Sequence, residues 1–336
     1  MSGVEVDAAL PRRKIEILPA LTPLLVALVA APFVGSPATF LTLTAAGVAM
    51  GMMIFTMASG LTLVFGMMDV LNFGHGAFIA LGAYVATLIL LPLASWGSAE
   101  SFVLNLAVFL IAVVAAAIVC GAFGFAFERL IVKPVYGQHL RQILATLGGA
   151  IIAEQLLYAV FGPDQIPLAL PKSFEGSFVF GEAAVEKYRM LATVVGLIVF
   201  AGEMLILNRT KIGLLIRAGV EHREMVEALG YRIDRLFVGV FMAGSALAGL
   251  GGAMMALYRG QVHATIGGEF LVLCFIVIII GGLGSVGGSF VASILVALIA
   301  NYAGFLAPKL ALVSNILAMV AVLLWRPRGL YPVSGR

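Results

Sequence analysis

Charge is what this sequence has least of. Asp, Glu, Lys and Arg make up 11% of its 336 residues, against about 25% in soluble domains. Apolar residues reach 62% and the mean hydropathy is +1.11, which excludes a water-soluble globular domain. Cysteine is nearly absent. Cys120 and Cys274 both fall inside apolar runs, so they read as small core residues and exclude a disulfide framework or metal-site spacing. The four histidines (His75, His139, His222, His263) lie in separate segments, and there is no HExxH. A phosphate-cradling GxxxxGK[ST] loop is missing too, as is a GxGxxG turn after a strand; no strands are expected at all. Asp69 is the only aspartate near a span interior, so no second one shares its proton inside the bilayer. These gaps argue against an enzyme, and the net charge of +3 carries no sign of a nucleic-acid partner.

What is present are apolar runs of about 20 residues, recurring from end to end, the signature of an all-α polytopic membrane protein. Spans are expected at 18–34, 39–58, 102–127, 143–161, 189–207, 236–257, 269–283, 287–304 and 308–325. A further stretch, 60–91, is too long for one straight crossing at ~1.5 Å per residue. The count is therefore about 8–10 helices, with 60–91 and the short 269–283 run broken or re-entrant. Lys and Arg divide unevenly: segments 1–17, 128–142, 208–235 and 326–336 hold 15 of the chain's 20. By the positive-inside rule these segments, and both termini, are cytoplasmic. The first span reads as an anchor that is not cleaved, because no small-residue cleavage site follows it. The organisation is thus a cytoplasmic segment 1–17, a transmembrane domain 18–325 with a cytoplasmic loop at 208–235, and a tail 326–336.

Polar residues inside the spans are few, which makes each a candidate. Asp69, Asn72, Gly74, His75 and Gly76 interrupt the 60–91 stretch. A discontinuous helix suits them, since polar side chains and glycines serve backbone groups that a break leaves unpaired. Asp69 and Asn72 would share a face at i, i+3 if helical, lining a polar pathway; capping of two half-helices is the plainer role. Glu154 sits deep in its span, as a functional carboxylate or an interhelical hydrogen-bonding group. Glu203, near a span end, is expected to snorkel to the interface. Glycine-interrupted apolar segments occur in both halves, at 66–82 and 281–288, an arrangement that marks substrate pathways in some transporters.

The densest charge lies at 213–237, where Glu221, Glu224, Glu227 and Asp234 alternate with Arg217, Arg223, Arg232 and Arg235. Met225, Val226, Ala228 and Leu229 sit beside them and Gly230 provides a stop. This is either a helix that packs against something at the membrane surface or a solvated loop.

The stretches LNFGHGAFIALGAY (71–84) and RAGVEHREMVEALGYRIDRLF (217–237) resemble the permease subunits of bacterial branched-chain amino acid ABC importers. AGSALAGLGGAMMAL (243–257), VIIIGGLGSVGGSFVASIL (277–295) and the closing RPRGL (326–330) follow in the family's order. The likeness is nearer the shorter of the two permease subunits. It implies a non-enzymatic inner-membrane subunit working by alternating access, paired with a second, related permease. Two ATPase subunits would hold the ATP and Mg, since the resemblance implies no cofactor in this chain. A periplasmic binding protein would deliver substrate on the 162–188 side. The resemblance also implies that Glu221, Arg223, Glu224, Glu227, Gly230 and Asp234 form a helix docking into the ATPase, and that the broken helix maps to Asp69–Gly76. Relatives that carry urea, amides or other small polar solutes leave the substrate open. An ion-coupled secondary carrier or channel, using Glu154 or Asp69, is the alternative from another class.

Overall fold

The computed structural model describes residues 17–221 and 223–332, and their side chains apart from 17, 220–224 and 312. In chain order the helices are α1 (Ile17–Ala20), α2 (Thr22–Val34), α3 (Pro37–Met68), α4 (His75–Leu90), α5 (Ala94–Gly97), α6 (Phe102–Phe127) and α7 (His139–Phe161). They continue with α8 (Lys187–Arg209), α9 (Lys211–Glu221), α10 (Arg223–Ala228), α11 (Ile233–Arg259), α12 (Ile266–Gly281), α13 (Val286–Leu306) and α14 (Pro308–Trp325). Among the described residues six helices are long and apolar enough to cross a membrane, and four shorter apolar ones accompany them. The fold is that of an all-α polytopic membrane protein.

The division of 39–91 differs from expectation. Residues 37–68 form one helix of 32 residues, about 48 Å long, so the expected second span runs on into the stretch thought to be broken. Ser36 starts it by accepting the Thr39 N–H, and Pro37 occupies the first turn, where its missing N–H costs nothing. Gly60, in mid-helix, does not interrupt it. A Cβ there would run into the Gly244 carbonyl of α11, so this glycine serves packing. The helix ends at Asp69, the one non-glycine residue at positive φ among those described (φ 53°).

Helix α3 is the centre of the bundle. Of its most apolar stretch 83% is buried, against 17% for α7 and for α8. It packs against α11, α13 and α8, while α11 also lies against α4 and α6. Glycines set these distances, since helices in lipid associate by close backbone contact and not by a hydrophobic driving force. At the crossing of α4 and α11, a Cβ at Gly82 would collide with the Gly249 backbone, and one at Gly252 with the Ile79 carbonyl. Gly82→Val should therefore destabilise the bundle by about 1–3 kcal/mol or more. A lower melting temperature in detergent is the expected result; an unchanged one would mean that α4 is free to move away.

Two faces result. The end of α6, the start of α7, helices α9 and α10 and the start of α11 share one, tied by Lys133 Nζ to Asp234 Oδ2 at 3.7 Å. On the opposite face the loops after α7 and α11 pair as a two-stranded ladder, β1 (Ile166–Pro167) with β4 (Gln261–Val262). A hairpin of β2 (Ser177–Phe180) and β3 (Ala183–Glu186) stands beside it. No strands were expected; these lie in loops, where backbone groups without helical partners pair with one another.

Candidate functional site

The break between α3 and α4 is a return along α3. His75 Nε2 lies 2.8 Å from the Met57 carbonyl oxygen. Met57 is eleven residues before the helix end, or roughly 16 Å back along its axis. Residues 69–74 therefore run back beside α3 before α4 begins. A carbonyl only accepts, so Nε2 carries the ring proton and Nδ1 keeps its lone pair. That Nδ1 is buried with no partner among the described residues.

Asn72 is equally buried. Its Oδ1 accepts the Gly74 N–H at 2.9 Å, an Asx-type turn that leads into α4, while its Nδ2 is buried with no acceptor among the described residues. The Phe73 N–H is taken by Thr146 Oγ1 of α7 at 3.2 Å. Gly74 makes room for Phe127, whose Cζ would lie 2.5 Å from an added Cβ, and Gly76 for the Gly267 carbonyl at 2.8 Å. Asn72, Gly74, His75 and Gly76 thus come together at the start of α4, where one unserved donor and one unserved acceptor stay inside the bundle. Such groups cost free energy unless something meets them.

Two expected members lie elsewhere. Residues 69–74 are not helical, so Asp69 and Asn72 do not share a helical face. Asp69 takes the left-handed conformation, which short polar side chains tolerate, and turns its carboxylate to the surface. There its Oδ2 lies 4.0 Å from His139 Nε2, with 54% of the side chain exposed. Glu154 is part-exposed on α7, between the exposed Ile151, Ile152 and Leu156. Its place in the run implied depth, but the side chain points away from the chain's own core.

Glu203 reverses its expectation. It does not snorkel: the residue is 8% exposed, and neither carboxylate oxygen has a hydrogen-bond partner among the described residues. Ser59 is beside it, but that hydroxyl donates to the Thr56 carbonyl at 3.1 Å. The signal was in the spacing. Gly196 abuts Met52 and Phe200 packs on Phe55, so 196, 200 and 203 form an i, i+4, i+7 stripe facing α3.

The charged stretch is helical over Lys211–Glu221 and Arg223–Ala228. The side chains of Glu221, Arg223 and Glu224 lie outside the described residues. Ile216 and Val226 are buried, Gly219 rests against Ile233, and Arg217 Nη2 donates to the Leu207 carbonyl at 3.1 Å. The stop at Gly230 is as expected. Its φ is 87°, its N–H reaches the Glu227 carbonyl at 2.9 Å and the Tyr231 N–H reaches that of Val226 at 3.3 Å. This pairing of 5→2 and 6→1 bonds is a Schellman cap. Met225, Leu229 and Tyr231 stay exposed beside Glu227.

A glycine-packed helical bundle with a polar half-helix start in its interior, and a charged helical element on one face, fits a membrane transport protein. The chain belongs to the branched-chain amino acid transport system permease component family, which matches residues 43–324. It is similar to the high-affinity branched-chain amino acid transport system permease protein BraD of Pseudomonas aeruginosa, at 27% identity over 84% of this chain and 93% of that protein. LivH of Salmonella typhimurium, which carries the same description, is 25% identical over 84% and 92%. The probable permease LivH of Methanocaldococcus jannaschii is 27% identical over 82% and 87%. No solved structure matches the chain.

Proposed function

We propose that this chain is one transmembrane subunit of an ATP-driven importer that moves branched-chain or related amino acids into the cytoplasm by alternating access. It lies in the inner membrane with both termini, 128–142 and 208–235 on the cytoplasmic side. A second permease and two ATPase subunits complete the transporter, and ATP with Mg binds on the ATPases. A periplasmic binding protein loads substrate on the face of the β-ladders. Asn72 and His75 offer a passing solute one donor and one acceptor.

The observation that carries the reading is the α9–α10 element, suspended between the membrane-crossing helices α8 and α11, the second of which is tied through Asp234 to Lys133 just past the end of α6. A push on such an element is delivered to α6, α8 and α11 together. The Schellman cap at Gly230 fixes its length, and its exposed apolar and charged side chains suit a groove on the ATPase.

Vesicles test this directly. Those holding the chain alone should accumulate no leucine, whatever the ion gradient. Adding the second permease, the ATPases, ATP and a loaded binding protein should start uptake. Gradient-driven uptake by the chain alone would make it a secondary carrier instead. A full assembly that prefers urea or an amide would move the substrate within the family.

A further inference from the structure

Beside α9–α10, on the α6 side, lies a cleft of about 390 Å³. Arg129, Lys133, Arg232 and Arg235 line it, with Glu227 and Asp234 among them. Four cationic side chains face two carboxylates; Asp234 is held by Lys133, and Arg129 Nε lies 3.9 Å from the buried Glu128 Oε2. Among the described residues no carboxylate pairs with Arg232 or Arg235. Helix α11 starts here without a side-chain cap on its first amides, so its dipole adds to the positive field.

Depth and surroundings say what sort of anion this suits. Helix α6 has 26 residues, about 39 Å, which exceeds a hydrocarbon core of ~30 Å. Arg129, just past its end, therefore falls in the headgroup layer. The Arg129 guanidinium stacks 5.5 Å from the centre of the Phe125 ring. Phe125 ends a stripe of exposed apolar residues, Ile111, Val114, Ile118 and Phe125, spaced so as to share one side of α6 with Arg129. An apolar track along a helix, ending in a basic cleft at headgroup depth, matches an amphiphile with an anionic phosphate head.

We infer that this cleft binds the phosphate of an anionic phospholipid, whose acyl chains lie along the exposed side of α6. The inference rests on the basic side chains and the apolar side of α6, although Glu227 of the cleft also lies on the element read as the ATPase dock. The shared chemistry is a phosphate, so the source has to be settled by experiment.

The full chain is extracted in mild detergent from membranes containing phosphatidylglycerol and phosphatidylcholine, and retained lipid is measured by mass spectrometry. The wild type should keep phosphatidylglycerol selectively. Arg129→Gln/Arg232→Gln/Arg235→Gln should retain about a hundredfold less, and Arg235→Gln alone about fivefold less, as expected for charges near a membrane surface. Phosphatidylglycerol should raise the melting temperature of the wild type but not of the triple variant, and the single variant keeps the test open if the triple one does not fold. Equal retention by wild type and Arg235→Gln would overturn the inference. So would equal protection by inorganic phosphate, which would make the cleft a soluble-anion site. Loss of the lipid on adding the ATPase subunits would assign the cleft to a protein partner.

Discussion

Leucine uptake by the assembled transporter should fall at least tenfold in His75→Leu and in Asn72→Leu, with the ATPase subunits still bound. His75 holds the start of α4 against the middle of α3 through the Met57 carbonyl. Leucine would fill the space but remove both the ring donor and the buried Nδ1 acceptor, and losing a buried partner costs about 1–3 kcal/mol. In Asn72→Leu the Gly74 N–H loses its acceptor, and the free Nδ2 donor disappears. Neither change touches the face that carries α9 and α10, so the ATPases should co-purify in normal amounts. His75→Gln keeps a donor that can reach Met57 and should recover part of the uptake. Uptake assays paired with co-purification decide the matter. Normal uptake in both leucine variants would reduce the break to a cap, and a dissociated complex would make it structural only.

The second large effect is expected at the charged element. Reversing two charges, Glu224→Lys with Glu227→Lys, should cut transport tenfold or more. ATP hydrolysis would no longer respond to loaded binding protein, while membrane insertion stays intact. Charges at the rim of an interface steer and register partners, and reversal turns each favourable pairing into a repulsive one. Gly230→Val reaches the same end by another route. With φ at 87°, a non-glycine residue is strained by ~1–2 kcal/mol, and a β-branched one is a poor fit, so α10 would lose its fixed stop. Coupled ATPase rates measured beside uptake test both variants. Normal transport in the charge-reversal variant would remove the docking role from α10.

Some of the site could be read from the residues themselves. Asn72, Gly74, His75 and Gly76 stood out because polar and glycine residues are rare inside apolar runs, and they do meet at one place. Gly230 stood out as a helix stop and is one. Glu203 is buried where exposure was expected, and Glu154 keeps its depth but faces away from the chain's own core. Hydropathy places a residue along the membrane normal but gives no azimuth, so a deep carboxylate can face outward and one near a span end can be buried. Asp69 is grouped by sequence with Asn72 as one polar interruption, but its left-handed conformation at the end of α3 turns it to the surface.

Composition alone determined that the chain crosses a membrane as helices, because backbone groups in lipid must be satisfied within the segment and so many apolar residues cannot face water. It also fixed where the polar interruptions lie. Which glycine breaks a helix and which lets two helices touch was decided only by the tertiary structure. Gly60 looks like a breaker and is a contact point, since its meaning depends on the Gly244 carbonyl nearly two hundred positions away. The return of residues 69–74 along α3 was likewise beyond local pattern, because it rests on a bond from His75 to a carbonyl in the preceding helix.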